Sequence, residues 1–410
     1  MNEGWREGDD AASGAQREAP GRRSFPGGGR GSPWFGAALF IAVIVFGYFF
    51  ARAALGSAAL FLLILIGLVW FHEAAHFVTA KLFGVYVHEF GLGFPPRLWG
   101  KRIGETEYTI NWLPIGGFVR LEGEENPSNP RSLAAKPRWQ RLIVLVSGAL
   151  ANLVLPILLF AVALSFPHEE SIGRALITGV IADAPAAAAG MQSGDVIYAV
   201  DGRNTKNVSE ASRYINLYRG QTVDVTVKRG DELIDLPVHA RWAPPSGQGP
   251  TGISIAAQYP FTETVALPPW QSIPQGLRQT WDSLLLARNE IISWFKGAGG
   301  PQFAGPVGIA QTTGEVARQT DSAAGAVSPL LELAALLSIN LGVLNLLPLP
   351  MLDGGRVLFL MIEVARRGKR IAPEKEALVH LIGLAAFIVL ALVVTFFDIS
   401  RIANGESLFR

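Results

Sequence analysis

The stretch AALGSAALFLLILIGLVWF, residues 53–71, runs without a charge directly into HEAAH at residues 72–76. These 19 uncharged residues approach the roughly 20 that a membrane helix needs, and the helix continues to about Phe83, where Gly84 stops it. An ionisable side chain at membrane depth costs roughly 2.5–3.5 kcal/mol on insertion scales, which makes His72, Glu73 and His76 functional candidates. On a helix, His72 and His76 lie one above the other and can turn ring nitrogens onto one metal ion. The chain has no cysteine, so His, Asp and Glu are its strong ligands and zinc is the natural occupant. Bound zinc acidifies a water and polarises a peptide carbonyl, and Glu73 can take the proton of that water and return it to a leaving amine. The alternative for such a pair, taken alone, is two satisfied core or interfacial histidines.

The surroundings favour a membrane protein. Half of the 410 residues are hydrophobic, 17% are charged and the mean hydropathy is +0.30. Residues 1–33 carry no apolar period and read as a disordered tail. Trp34 to Ala51 is an uncharged run of 18 residues, read as an extra first span, with a signal-like stretch cleaved near Ala51-Arg52-Ala53 as the alternative. The span with H-E-x-x-H covers 53–83. Residues 85–140 alternate in short β-like stretches broken by Gly and Pro, and 142–167 form a further span. Residues 171–260 read as a compact water-soluble α+β domain. From 270 to 297, Trp270, Ile273, Leu277, Trp281, Leu284, Leu285 and Ile292 recur at helical spacing, an amphipathic helix set either on the membrane surface or against the soluble domain. Spans at 329–355 and 377–397, the latter interrupted only by His380, complete a count of five.

Arg6, Arg17, Arg22, Arg23 and Arg30 lie in the tail, nine Lys and Arg lie between 81 and 141, and five lie between 362 and 376. Under five spans these segments share one side, which the positive-inside rule makes cytoplasmic, leaving the 171–328 segment outside. The net charge of +1 gives no case for a nucleic-acid partner.

A catalytic zinc needs a third protein ligand, and Phe77 to Tyr86 contains no His or Glu to supply it. Asp353 stands out: it follows 20 uncharged residues broken by Pro348 and Pro350, and two glycines come after it. A helix cap or a surface loop carboxylate is the alternative. Asn345 can hydrogen-bond a substrate strand or a developing oxyanion, or serve as interhelical glue.

HEAAH in an early span, Gly305-Pro306-Val307-Gly308-Ile309-Ala310, and Asn345-Leu346-Leu347-Pro348-Leu349-Pro350-Met351-Leu352-Asp353-Gly354-Gly355-Arg356 together resemble the site-2 protease family, in its bacterial form with a PDZ domain. The likeness runs from about Ala53 to Phe397. It implies a polytopic α-helical membrane protein with an inserted extracytoplasmic PDZ-like α+β domain and a small membrane-associated β region. His72, His76 and Asp353 would hold Zn2+, Glu73 would be the base, and Asn345 would hold substrate. The stretch Trp112 to Val119 resembles the β loop on which such enzymes pair an unwound substrate. Asp183 to Gly190 with Gly194-Asp195-Val196-Ile197 resembles a PDZ core. Ser147-Gly148-Ala149-Leu150-Ala151-Asn152 departs from a proline-containing form of its motif in a way that reads as harmless. The implied role is the second cut in regulated intramembrane proteolysis, in the inner (cytoplasmic) membrane. The implied substrates are single-span membrane proteins such as anti-sigma factors or signal-peptide remnants. A non-catalytic PDZ scaffold and a transporter are the competing classes; intact His72, Glu73, His76 and Asp353 argue against the first, and the lack of an internal repeat against the second.

Overall fold

The computed structural model describes residues 52–404 apart from 125–126, 128, 299–303 and 320–322. The tail and the expected first span at 34–51 lie outside the described residues. Helix α1 (Arg52–Leu82) is uncharged from Ala53 to Phe71 and ends two residues before Gly84, whose φ of 66° suits a residue without a side chain.

Two long strands follow, β1 (Val87–Ile103) and β2 (Thr106–Leu121), and each bends back on itself. Glu89 lies opposite both Arg120 and Glu107, and Gly91 opposite both Phe118 and Thr109. The register thus gives a small sheet ordered 117–121, 87–92, 106–111, 97–103. Among the described residues, no further strand pairs with the 117–121 edge.

Helix α2 (Arg138–Ser165) crosses back and leads into β3 (His168–Ile172). The domain beyond contains β4 (Ala175–Val180), α3 (Pro185–Ala188), β5 (Val196–Val200), β6 (Arg203–Asn204), α4 (Val208–Leu217), β7 (Thr222–Arg229), β8 (Glu232–His239) and β9 (Ile253–Ala257). Its antiparallel sheet is ordered β8-β7-β5-β4-β9, with β6 beside β5. Period-2 alternation drives it: Val223, Val225 and Val227 of β7 point inward to Ile177, Ile197, Val238 and Ile215. Strand β10 (Phe261–Val265) pairs with β3, returning the chain to the spans.

Helix α5 (Pro269–Phe295) is amphipathic in an inverted sense. Its small and polar residues Ser272, Gly276, Thr280, Asp282 and Asn289 are buried, while Trp270, Ile273, Leu277 and Trp281 are 54–74% exposed. A Cβ at Gly276 would meet Ile157 O and Ala161 N of α2 at 2.7 and 2.9 Å, so the backbones touch. Asp282 bonds Arg203, and Asn289 donates to Leu217 O in the sheet domain. The helix thus packs on the sheet domain and turns its apolar face outward.

Helix α6 (Pro306–Arg318) was not foreseen from the sequence; Asp398 accepts the Gly308 N–H at its start. The span expected over 329–355 is not one helix. Helix α7 (Ala323–Leu346) stops, and α8 (Asp353–Ala365) begins at Asp353 itself, because Pro348 and Pro350 lack the N–H groups that a helix needs. Helix α9 (Pro373–Ala403) follows. Four described helices, Leu55–Leu82, Arg138–Ser165, Ala324–Leu346 and Pro373–Ala403, are long and apolar enough to cross a membrane. Arg138, Arg141 and Arg370 all reach the buried Glu363, so two of the basic segments meet at one end of the bundle.

In the sheet domain, Arg229 donates twice to the buried Asp195, at 2.8 Å each, and holds its carboxyl below the usual range against the opposing effect of burial. A depressed carboxylate stabilises above its unfolded pKa and loses that contribution as pH falls. Asp195→Asn should therefore destabilise this domain by about 1.5–3 kcal/mol at neutral pH and by progressively less in acid. Amide exchange of β5 and β7 across pH measures both.

Candidate metal centre

His72 and His76 lie ten and six residues before the end of α1, at Leu82. Each is nearly buried, and their Nε2 atoms are 3.2 Å apart. Asp353 Oδ2 lies 3.1 Å from His72 Nε2 and 3.2 Å from His76 Nε2. The three residues form the one group of metal-ligating side chains of this kind among the described residues. Zinc bound by nitrogen and oxygen at 2.0–2.1 Å in a tetrahedron separates its ligand atoms by about 3.3 Å. The three observed separations fit that edge length. The Asp353 side chain is 20% exposed, leaving a way in from outside the cluster.

The outer ring nitrogens are occupied. His76 Nδ1 donates to Val144 O at 2.7 Å, and the Asn152 side-chain amide lies 3.1 Å from His72 Nδ1. With the proton on Nδ1, the amide oxygen of Asn152 is the partner that fits, and Nε2 keeps its lone pair for the cluster. Asn152 is wholly buried, and Ser338 of α7 donates to its backbone carbonyl at 2.8 Å. Ser147 bonds Val144 O and Thr79, stitching α2 to the turn of α1 beyond His76. Between Ser147 and Asn152, Gly148 opens the room: a Cβ there would collide with the Nε2 atoms of both histidines.

Ser147, Gly148 and Asn152 of this stretch all border the cluster. Asn152 was the available signal, an amide deep in a 26-residue uncharged run. Asp353 caps nothing with its side chain, and Leu352 is the helix cap. Its two glycines have a steric reason: a Cβ at Gly354 would strike Leu347 O, and one at Gly355 would strike Leu349 O. The loop can fold back to the start of α8 only over bare backbone.

Glu73 is part-buried beside His72 and within electrostatic reach of His72, His76, Asp353 and Arg356. A Cβ at Gly117 would lie 3.3 Å from Glu73 Cγ, so the 117–121 edge passes over this carboxylate. Asn345 is buried in the last turn of α7 and is not one of the three clustered residues.

A sequence profile of Peptidase family M50 matches residues 60–390. A Clostridium perfringens protein named as a candidate zinc metalloprotease is 35% identical over 337 residues, covering 81% of this chain and 95% of the relative. The regulator of sigma-W protease RasP of Bacillus subtilis is 28% identical over 429 residues, covering 83% and 98%. The crystal structure of the PDZ domain of an SdrC-like protein from Listeria monocytogenes matches 20% of this chain and 88% of its own, at 27% identity and a TM-score of 0.19.

Gly148→Ala should displace one or both imidazoles and weaken zinc binding at least about tenfold, in the range seen when the surroundings of metal ligands are disturbed. Metal analysis of the purified protein, with circular dichroism to confirm an intact helical fold, checks this.

Proposed function

Because the chain belongs to Peptidase family M50 and is a zinc metalloprotease, we propose that it cuts peptide bonds within or beside membrane-spanning segments, with His72, His76 and Asp353 holding the zinc. The observation that carries the reading is the mutual 3.1–3.2 Å approach of two imidazole nitrogens, on a helix apolar enough to span a bilayer, and a carboxylate oxygen at the start of α8. Bound zinc supplies Lewis acidity toward a water and a peptide carbonyl. Glu73 removes the proton of the attacking water and delivers it to the leaving nitrogen. Asn345 holds the substrate or its developing oxyanion.

The histidines lie about 15 Å and 9 Å before the end of α1, at 1.5 Å per residue, so the scissile bond falls toward one face of the bilayer. That face is cytoplasmic, as supported by the convergence of Arg138, Arg141 and Arg370 on Glu363 at the same end. With the span expected at 34–51 ahead of α1, the N terminus would lie inside, and the sheet domain, serving as a PDZ module, would lie outside the cytoplasmic membrane. The unpaired 117–121 edge beside Glu73 suits an extended substrate segment, which pairs with it as an added strand. The relative named as the regulator of sigma-W protease supports a regulatory role; the substrates of this reading are single-span membrane proteins such as anti-sigma factors or signal-peptide remnants.

In detergent with a model membrane-spanning substrate, wild type should hold one zinc and cut. Glu73→Gln should keep the metal and lose cleavage by two or more orders of magnitude, and Asp353→Ala should lose both. A well-folded wild type without metal, or Glu73→Gln cutting at the wild-type rate, returns the chain to the scaffold reading. Asn345→Leu should keep zinc while slowing cleavage about 100-fold, the usual loss for one oxyanion donor; zinc content and single-turnover rates separate the two effects.

A further inference from the structure

His380 is the ionisable residue that interrupts the apolar run of α9, and it faces the loop that delivers Asp353. Its Nδ1 accepts the Met351 N–H at 2.8 Å. The loop's backbone donors explain why this bond matters. Pro348 and Pro350 have none, Leu347 N–H bonds Leu344 O, Leu349 N–H bonds Leu347 O, and Leu352 N–H bonds Leu349 O. Met351 is the donor whose partner comes from another helix.

Met351 also has a φ of 75°, a left-handed conformation that costs a side-chain-bearing residue about 1–2 kcal/mol. Such a residue persists only where its surroundings hold it. Two further contacts converge there. Gly383, three residues along the same face as His380, meets Pro350 so closely that a Cβ would collide with the proline ring and lie 3.1 Å from its carbonyl. The His380 ring also lies 5.5 Å, centroid to centroid, from Phe359 of α8. Apart from the Asp398 contact with α6, the rest of α9 is scarcely covered: Leu381 and Ile382 are 62% and 60% exposed.

We propose that His380 is a positioning residue for the metal centre. By accepting the Met351 N–H it fixes the chain reversal two residues before Asp353, and so sets Asp353 Oδ2 against the Nε2 atoms of His72 and His76. The inference rests on Asp353 being a zinc ligand, and the experiment separates the two claims.

Full-length wild type, His380→Leu, His380→Asn and Asp353→Ala are purified in detergent, loaded with zinc and titrated with a chelator; amide exchange over 347–352 is followed in the metal-free proteins. Leucine keeps the bulk and removes the acceptor, whereas asparagine puts an oxygen near the position of Nδ1. His380→Leu should give up zinc about tenfold more readily than wild type and exchange faster at Met351, and His380→Asn should restore both. Unchanged zinc retention and exchange in His380→Leu overturns the proposal, and so does a His380→Asn as defective as the leucine variant. If His380→Leu fails to fold, His380→Ala takes its place under the same two readings. Asp353→Ala retaining zinc like wild type overturns the ligand assignment instead, a result that the exchange data on His380 variants do not share.

Discussion

Two imidazole nitrogens and a carboxylate oxygen within 3.2 Å of one another, among helices of mostly apolar surface, form an arrangement that stands only with positive charge among them. A zinc ion held by the three, as proposed, would supply that charge, and the three helices that bring these side chains together have the shape such a site requires. Helix α1 must keep its two histidines one turn apart. Helix α2 must pass them without a side chain at Gly148 while offering Val144 O and Asn152 to their outer nitrogens. Helix α7 must end before Asp353. Carried on at 1.5 Å per residue, it would take that carboxylate about 10 Å beyond Leu346 along its axis; the proline-broken loop instead folds it back over Gly354 and Gly355.

What the sequence disclosed follows from how local each signal is. Long apolar runs read as spans because bilayer thickness sets their length, and alternation in β7 read as strand because one face is buried. HEAAH and Asp353 stood out because polar groups are rare in such runs. The bends in β1 and β2 did not, since their pairing depends on residues tens of positions apart. Gly148 did not, because a glycine in a membrane helix is common and only the approach of another helix gives it meaning. His380 was visible as an interruption of its run, but its partner is a backbone amide, which no side-chain pattern can reveal. Helix α6 is stabilised in part by Asp398, 90 residues away from the N–H it accepts.

Helix α5 shows how the aqueous and apolar parts are joined. Its buried side is built of Ser, Gly, Thr and Asn, which lets it lie directly on α2 and bond the sheet domain through Asp282 and Asn289. Its outer side is aromatic and aliphatic. In water such a surface is a liability, and beside a bilayer it is an anchor. The sheet domain is therefore held to α2, which borders the metal centre, by polar contacts along one helix, and a movement of that domain bears on the helix that carries Gly148 and Asn152.

The sheet edge beside Glu73 addresses a different cost. A helical segment that opens in an apolar medium leaves each backbone donor and acceptor without a partner, a loss of about 4–6 kcal/mol per hydrogen bond. An antiparallel edge answers only alternate residues, so 117–121 would satisfy part of an opened segment paired with it, as proposed, and leave the rest to water or polar side chains. Asp353 and Glu73 are both only part-buried, so water could reach the site on their side. In the proposed reaction, an opening that admits water would also meet the hydrogen bonds that the edge cannot, and a tighter, drier site would oppose the unwinding of such a substrate.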